Sequence, residues 1–162
     1  MTNNVEVHKP VVSPVELPKS FKQVIETVRE TKQYDALTKV IPYAQLIGVE
    51  FDQLGDDLSF KLPKKSGNIG NPILPAIHGG VLGGFMELSC ALHLLVSQET
   101  LKFPKIIDFS LDYLRTGMDK DTYAYCEVTR QGGRVANVEV HAWQDSKDKP
   151  IALARAHFLL ED

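Results

Sequence analysis

At 162 residues, with 43% hydrophobic and 24% charged residues, the chain has material for one hydrophobic core and the make-up of a folded globular domain. A formal net charge of -3 offers no bulk attraction to nucleic acid or to an anionic membrane surface, so neither is expected as a partner. Two cysteines, Cys90 and Cys126, are too few for a disulfide framework and sit in apolar segments, which predicts buried free thiols in a reducing, cytoplasmic setting.

Residues 1–19 carry Pro10, Pro14 and Pro18 and lack the basic start and apolar core of a secretory leader. They are expected to form a flexible arm ahead of a single domain over 20–162. Ser20 is suited to cap a helix through Phe21, Val24, Ile25 and Val28, whose spacing is helical, continuing, whole or broken, to about Val40. Pro42 ends or resets it. Tyr43 to Phe51 leads from a helical turn into a strand, Gly55-Asp56-Asp57 marks a turn, and Leu58 to Pro63 returns as a hairpin.

From Lys64 to Ile77 the sequence is rich in Gly, Pro, Asn and Lys without periodicity, which predicts a long loop of the kind that carries function. Gly79 to about Gln98 follows as a helix apolar on nearly every side. Its GxxxG spacings (Gly79 with Gly83, Gly80 with Gly84) would suit a helix pair in lipid, but Glu87 at its middle would be costly there. A buried helix of a soluble protein is expected instead. Four strands come next, at 105–115, 122–130, 134–144 and 150–160, with turn residues between them. Ala136, Val138, Val140 and Ala142 alternate onto one face, as do Ala152, Ala154, Ala156 and Phe158. The alanines leave room for a close neighbour, which a helix with four glycines could be. The predicted fold class is α+β, one antiparallel sheet wrapped around the long central helix.

The chemistry concentrates between Gly70 and Glu87. Gly79 and Gly80 at a helix start offer unobstructed backbone N–H groups and the positive end of the helix dipole, a suitable cradle for an oxyanion. Glu87, the one carboxylate in the helix, is a candidate general base or nucleophile. On the residues alone a purely structural reading stands equally: Glu87 reaching solvent, His78 entering the helix, the glycines packing. Eight residues of helix span about 12 Å, beyond a glutamate's reach, so both groups acting on one carbonyl implies two subunits. His93, His141 and His157 show no metal-ligand spacing with the cysteines and are assigned to structure; no metal or cofactor is expected.

The His78-Gly79-Gly80 turn, with Glu87 nine residues after His78, resembles the signature of the PaaI-type hotdog-fold acyl-CoA thioesterases. The flanks agree: Ile41-Pro42-Tyr43-Ala44 into Leu46-Ile47-Gly48-Val49, the strand Asp108 to Arg115, and the segment Arg130 to Val138. The resemblance implies a homodimer or dimer of dimers that hydrolyses an acyl-CoA or related thioester. Glu87 would activate water or attack the thioester, Gly79 or Gly80 N–H would bind the carbonyl oxygen, His78 would shape the site and Asn71 would orient water or the thioester. It also implies that Arg115, Arg130 and Arg134 lie near the CoA nucleotide, a role for which arginine suits phosphate. Ile73, Leu74, Phe85 and Met86 are the expected apolar acyl contacts. The sequence departs from the pattern twice. Asn71 precedes His78 by seven residues where six is usual, and Ile106 stands where many relatives carry Ser or Thr. Ile106 keeps open a non-catalytic acyl-CoA-binding protein. A hotdog dehydratase or hydratase is disfavoured, because the nearby histidine belongs to the glycine turn.

Overall fold

The structure, a computed structural model, describes residues 21–97 and 103–160; the predicted arm and Ser20 lie outside the described residues. Helix α1, Phe21–Thr31, buries Ile25 and Val28. It stops at Lys32, whose φ of 60° is uncommon for a residue with a side chain and reverses the helical path. Helix α2, Asp35–Val40, follows, so the helix expected to reach Val40 is two pieces. Helix α3, Pro42–Ile47, opens with proline, where its fixed φ suits the first turn and its missing N–H costs nothing. It closes on Gly48 at φ 86°, with the Gly48 N–H on Ala44 C=O, a left-handed cap that glycine adopts without strain. Strands β1, Glu50–Leu54, and β2, Asp57–Leu62, pair as the expected hairpin.

The segment read as a long loop is more ordered than its composition suggested. It holds a 3-10 turn at Ser66–Asn68 and a small ribbon of β3, Ile69–Asn71, with β4, Ala76–Ile77. Strands this short have no alternation to read, and backbone bonds hold them instead. Ile77 N–H donates to Gly117 C=O at 2.8 Å, and the buried Asn68 amide donates to Ile47 C=O at 2.7 Å.

Helix α4, Gly79–Ser97, is followed by β5, Lys105–Tyr113, β6, Thr122–Gln131, β7, Val135–Trp143, and β8, Ala152–Leu159. These complete a six-stranded antiparallel sheet in the order β1-β2-β6-β7-β8-β5, curled about α4 in the predicted hotdog arrangement. Among the described residues α4 is the one helix long and apolar enough to cross a membrane. Eleven of its residues are buried in the protein, so it is the core helix. The two alternating faces read from the sequence are both buried, in one core cluster with Phe85, Met86 and Leu92. The helix glycines, however, do not meet the alanine rows. Gly79 and Gly83 face β5 and Gly84 faces Tyr43.

β5 is an edge strand, and α4 presents Gly79 and Gly83 to it. Cys90 and Cys126 are buried free thiols with their Sγ atoms 3.9 Å apart. Burial pushes the Cys126 thiol up, away from the reactive thiolate. At the far end of α4, Arg29 from α1 donates from Nε (3.0 Å) and Nη2 (2.6 Å) to Leu95 C=O, a cation where helix carbonyls lack partners. Arg29→Leu is expected to cost about 1.5–3 kcal/mol in urea unfolding, the worth of a charged hydrogen bond.

Candidate active site

The first half of the site is the N-terminus of α4. His78 is seated there by its N–H, which donates to Asn68 C=O at 2.8 Å, and by Gly70. A Cβ at Gly70 would fall 2.7 Å from His78 Cα, so only glycine lets β3 lie this close. The His78 ring turns back over the helix, and its Nδ1 accepts the Gly80 N–H at 2.9 Å, which puts the neutral ring's proton on Nε2. Gly80 N–H is therefore spent on capping the helix. Gly79 N–H has no acceptor among the described residues. The carbonyl of the same peptide, His78 C=O, accepts both Val81 N–H (2.9 Å) and Leu82 N–H (3.0 Å). Two donors on that oxygen polarise the peptide and strengthen the free N–H as a donor.

Gly79 lines a cleft of about 400 Å³ together with Ile77, Leu82, Tyr113, Arg115 and Gly117. Tyr113, at the end of β5, donates its hydroxyl to Gly79 C=O at 2.6 Å. A Cβ on Gly79 would sit 3.0 Å from that oxygen, so the close contact depends on glycine. Tyr113 thus ties the helix start to the edge strand. Tyr113→Phe keeps the ring and removes this bond; it is expected to lower stability in urea unfolding by about 0.5–1.5 kcal/mol, as one neutral hydrogen bond is worth.

The second half lies two turns along α4. Glu87 lines a different cleft, of about 420 Å³, whose apolar wall comes from Ile41, Leu88, Ala91, Phe103, Ile106 and Phe158. Its carboxylate has no hydrogen bond and no ion pair among the described residues. A carboxylate kept in such a wall without a partner contributes nothing evident to stability, and its place in the cleft makes it the candidate reactive group there. The two clefts sit at opposite ends of β5, Gly79 beside Tyr113 and Glu87 beside Ile106.

Residues 74–151 match the family model of the Thioesterase superfamily. A solved structure of a Chromobacterium violaceum protein is 44% identical, with 86% of this chain and 98% of that chain covered and a TM-score of 0.72. The chain belongs to the thioesterase superfamily. The fold is shared with more distant structures. A phenylacetic acid degradation-related protein of Ralstonia eutropha is 20% identical over 78% of this chain and 98% of its own, TM-score 0.66. A Bacillus halodurans protein solved with CoA is 15% identical over 88% and 89%, TM-score 0.65. No curated protein matches the sequence.

Within this thioesterase-superfamily fold the other predicted residues scatter. Phe85 and Met86, the expected acyl contacts, are 0% exposed in the core and line neither cleft. Helical periodicity explains this, because Gly84, Leu88 and Ala91 share the face of Glu87 while positions 85 and 86 turn to the sheet. Asn71 Oδ1 accepts the Ile73 N–H (3.0 Å) and Leu74 N–H (3.2 Å), a local turn that commits this oxygen to the β3–β4 ribbon. Ile73, 94% exposed, and Leu74 stand at that tip and line neither cleft. Arg115 lines the Gly79 cleft and donates from Nη1 to Pro150 C=O at 2.6 Å. Arg130 and Arg134 are exposed at the β6–β7 turn, at the end of the sheet where Ala136 pairs with Phe158, hence at the Glu87 end. Among the described residues no cluster of His, Cys, Asp and Glu could hold a metal. His93 is held by burial below its usual range, in the neutral form. Sequence reasoning missed Tyr43 and Tyr113; Leu88 and Ala91 could have been found by counting turns from Glu87.

Proposed function

We propose that the protein is an acyl-CoA thioester hydrolase whose active site forms between two copies of the chain. The observation that carries this reading is the pair of clefts. Gly79 with its free N–H and Glu87 with its unpaired carboxylate lie at the two ends of one unpaired edge strand. Pairing two β5 strands antiparallel about their midpoint, near Phe109, brings the Tyr113 end of one beside the Ile106 end of the other. Two equivalent composite sites result, as a two-fold axis requires. The same operation moves Arg115 of one copy toward Arg130 and Arg134 of the other, a cationic rim suited to the phosphates of CoA. The exposed side chains Ile106, Ile107, Tyr113 and Leu114 on or beside β5 give that edge the apolar character an interface core needs.

In this site the thioester carbonyl oxygen lies on Gly79 N–H. Water attacks the carbonyl carbon as Glu87 takes its proton, and negative charge collects on the oxygen held by the amide. The C–S bond then breaks, and the departing thiolate receives the proton from Glu87. Attack by Glu87 itself, through an anhydride that water opens, uses the same geometry. Support for CoA comes from the Bacillus halodurans structure, which contains it. The apolar wall around Glu87 suits an acyl tail. The test is thiol release from acetyl-, octanoyl-, palmitoyl- and benzoyl-CoA: turnover of at least one, lost in Glu87→Ala, is expected. No release from any of the four sinks the reading.

A further inference from the structure

We propose that Tyr43 is a catalytic residue of the Glu87 cleft, its phenolic hydroxyl holding the water that Glu87 deprotonates. The inference rests on the hydrolase reading above and names a group that reading does not use. Tyr43 and Glu87 line the same cleft, and apart from Glu87 the side chain of Tyr43 is the one polar side chain among the residues lining it. Ile106 supplies only an apolar edge there. Tyr43 brings a hydroxyl to the same cleft from a different element, α3.

The contact between the tyrosine and the helix is specific. The Tyr43 ring lies across α4 at Gly84. A Cβ at Gly84 would fall 2.9 Å from Tyr43 Cε1 and Cζ and would collide with the hydroxyl oxygen. Gly84 precedes Glu87 by one turn, and helical side chains lean back over the turn before them. The glutamate is thereby directed toward the stretch of helix on which the phenol rests. The Tyr43 hydroxyl has no hydrogen-bond partner among the described residues, and the residue is 41% exposed. A free donor and acceptor beside an unpaired carboxylate can accept a hydrogen bond from one O–H of water while the carboxylate accepts from the other, or donate to the water oxygen as it attacks. No proton is consumed: the hydroxyl is unchanged over the cycle, and Glu87 alone carries the proton from water to the thiolate.

Three variants of the full-length chain test this with the most rapidly hydrolysed of the four acyl-CoAs. Tyr43→Phe keeps the ring and, being a change at an exposed hydroxyl with no partner, leaves the fold intact; kcat is expected to fall about tenfold with KM within about twofold, as for the loss of a transition-state hydrogen bond. Gly84→Ala displaces the phenol and should lower kcat similarly. Combined with Tyr43→Phe it should lose little more than either alone, because both remove one interaction. An unchanged kcat in Tyr43→Phe, a change confined to KM, or fully additive losses each overturn the role of Tyr43. Hydrolysis that requires Glu87 but survives Tyr43→Phe overturns this inference alone. Absence of wild-type hydrolysis with all four substrates overturns the hydrolase reading and the Tyr43 role with it.

Discussion

Glu87→Ala is expected to lower kcat for thioester hydrolysis by about a thousandfold, within the range general acid–base groups supply, with no loss of thermal stability. The two halves of this expectation come from one observation. Glu87 is set in an apolar wall with no ion pair or hydrogen bond among the described residues, so its removal breaks nothing in the folded protein. Taking a carboxylate out of such surroundings is neutral or stabilising. Glu87→Gln, with the same shape and no base, should lose activity to a similar degree. KM should move little in either variant, because the lost interaction belongs to the step after binding. Thermal melting and steady-state thiol release on the same samples decide it. A variant that loses activity and melting temperature together would point to a structural glutamate, and one that keeps kcat would remove Glu87 from the chemistry.

Much of the frame was legible in the sequence because periodicity reports burial directly. The alternation of Ala136, Val138, Val140 and Ala142 named a core face, and these residues are buried. The apolar run from Gly79 to Ser97 named the central helix. What escaped were features held by backbone geometry and by contacts distant in sequence. The β3–β4 ribbon is pinned through Gly117 and Asn68, and no pattern within residues 69–77 records those partners. Phe85 and Met86, expected at the acyl group for their apolar character, precede Glu87 in sequence but lie in the core. On a helix, neighbours in sequence point some 100° apart, and the faces are shared by residues three and four apart. The oxyanion donors show the same limit at finer scale. The two candidate glycine amides are equivalent in the sequence, but the His78 ring accepts Gly80 N–H, which leaves Gly79 N–H as the one without an acceptor among the described residues. Tyr113 and Tyr43 reach α4 from elsewhere in the chain, at places where glycine lets them approach; the glycines were visible and their visitors were not.

The separation of Gly79 from Glu87 makes a sharper demand than either residue does alone. Gly79→Pro removes the free N–H, keeps a residue suited to the first position of a helix and crowds the Tyr113 hydroxyl, 3.0 Å from a Cβ there; it is expected to cost at least about a hundredfold in kcat, the scale of one oxyanion donor. On the proposed two-chain site, Gly79→Pro and Glu87→Ala should therefore each be nearly inactive alone. Unfolded and refolded together, the two variants should recover activity, because a mixed dimer pairs the intact Gly79 of one copy with the intact Glu87 of the other. Random mixing makes about half the dimers mixed, each with one good site of two, so the yield should approach about a quarter of the wild-type rate. The opposite arrangement, with both groups serving the same carbonyl from one helix, predicts no recovery at all, since every chain in the mixture carries one lesion. Distance along α4 forbids that arrangement: eight residues at the helical rise leave about 12 Å between the two backbone positions. Recovery of thiol release on mixing, with size-exclusion elution unchanged, would tie the chemistry to the β5 edge; its failure with both parents folded and dimeric would break that link.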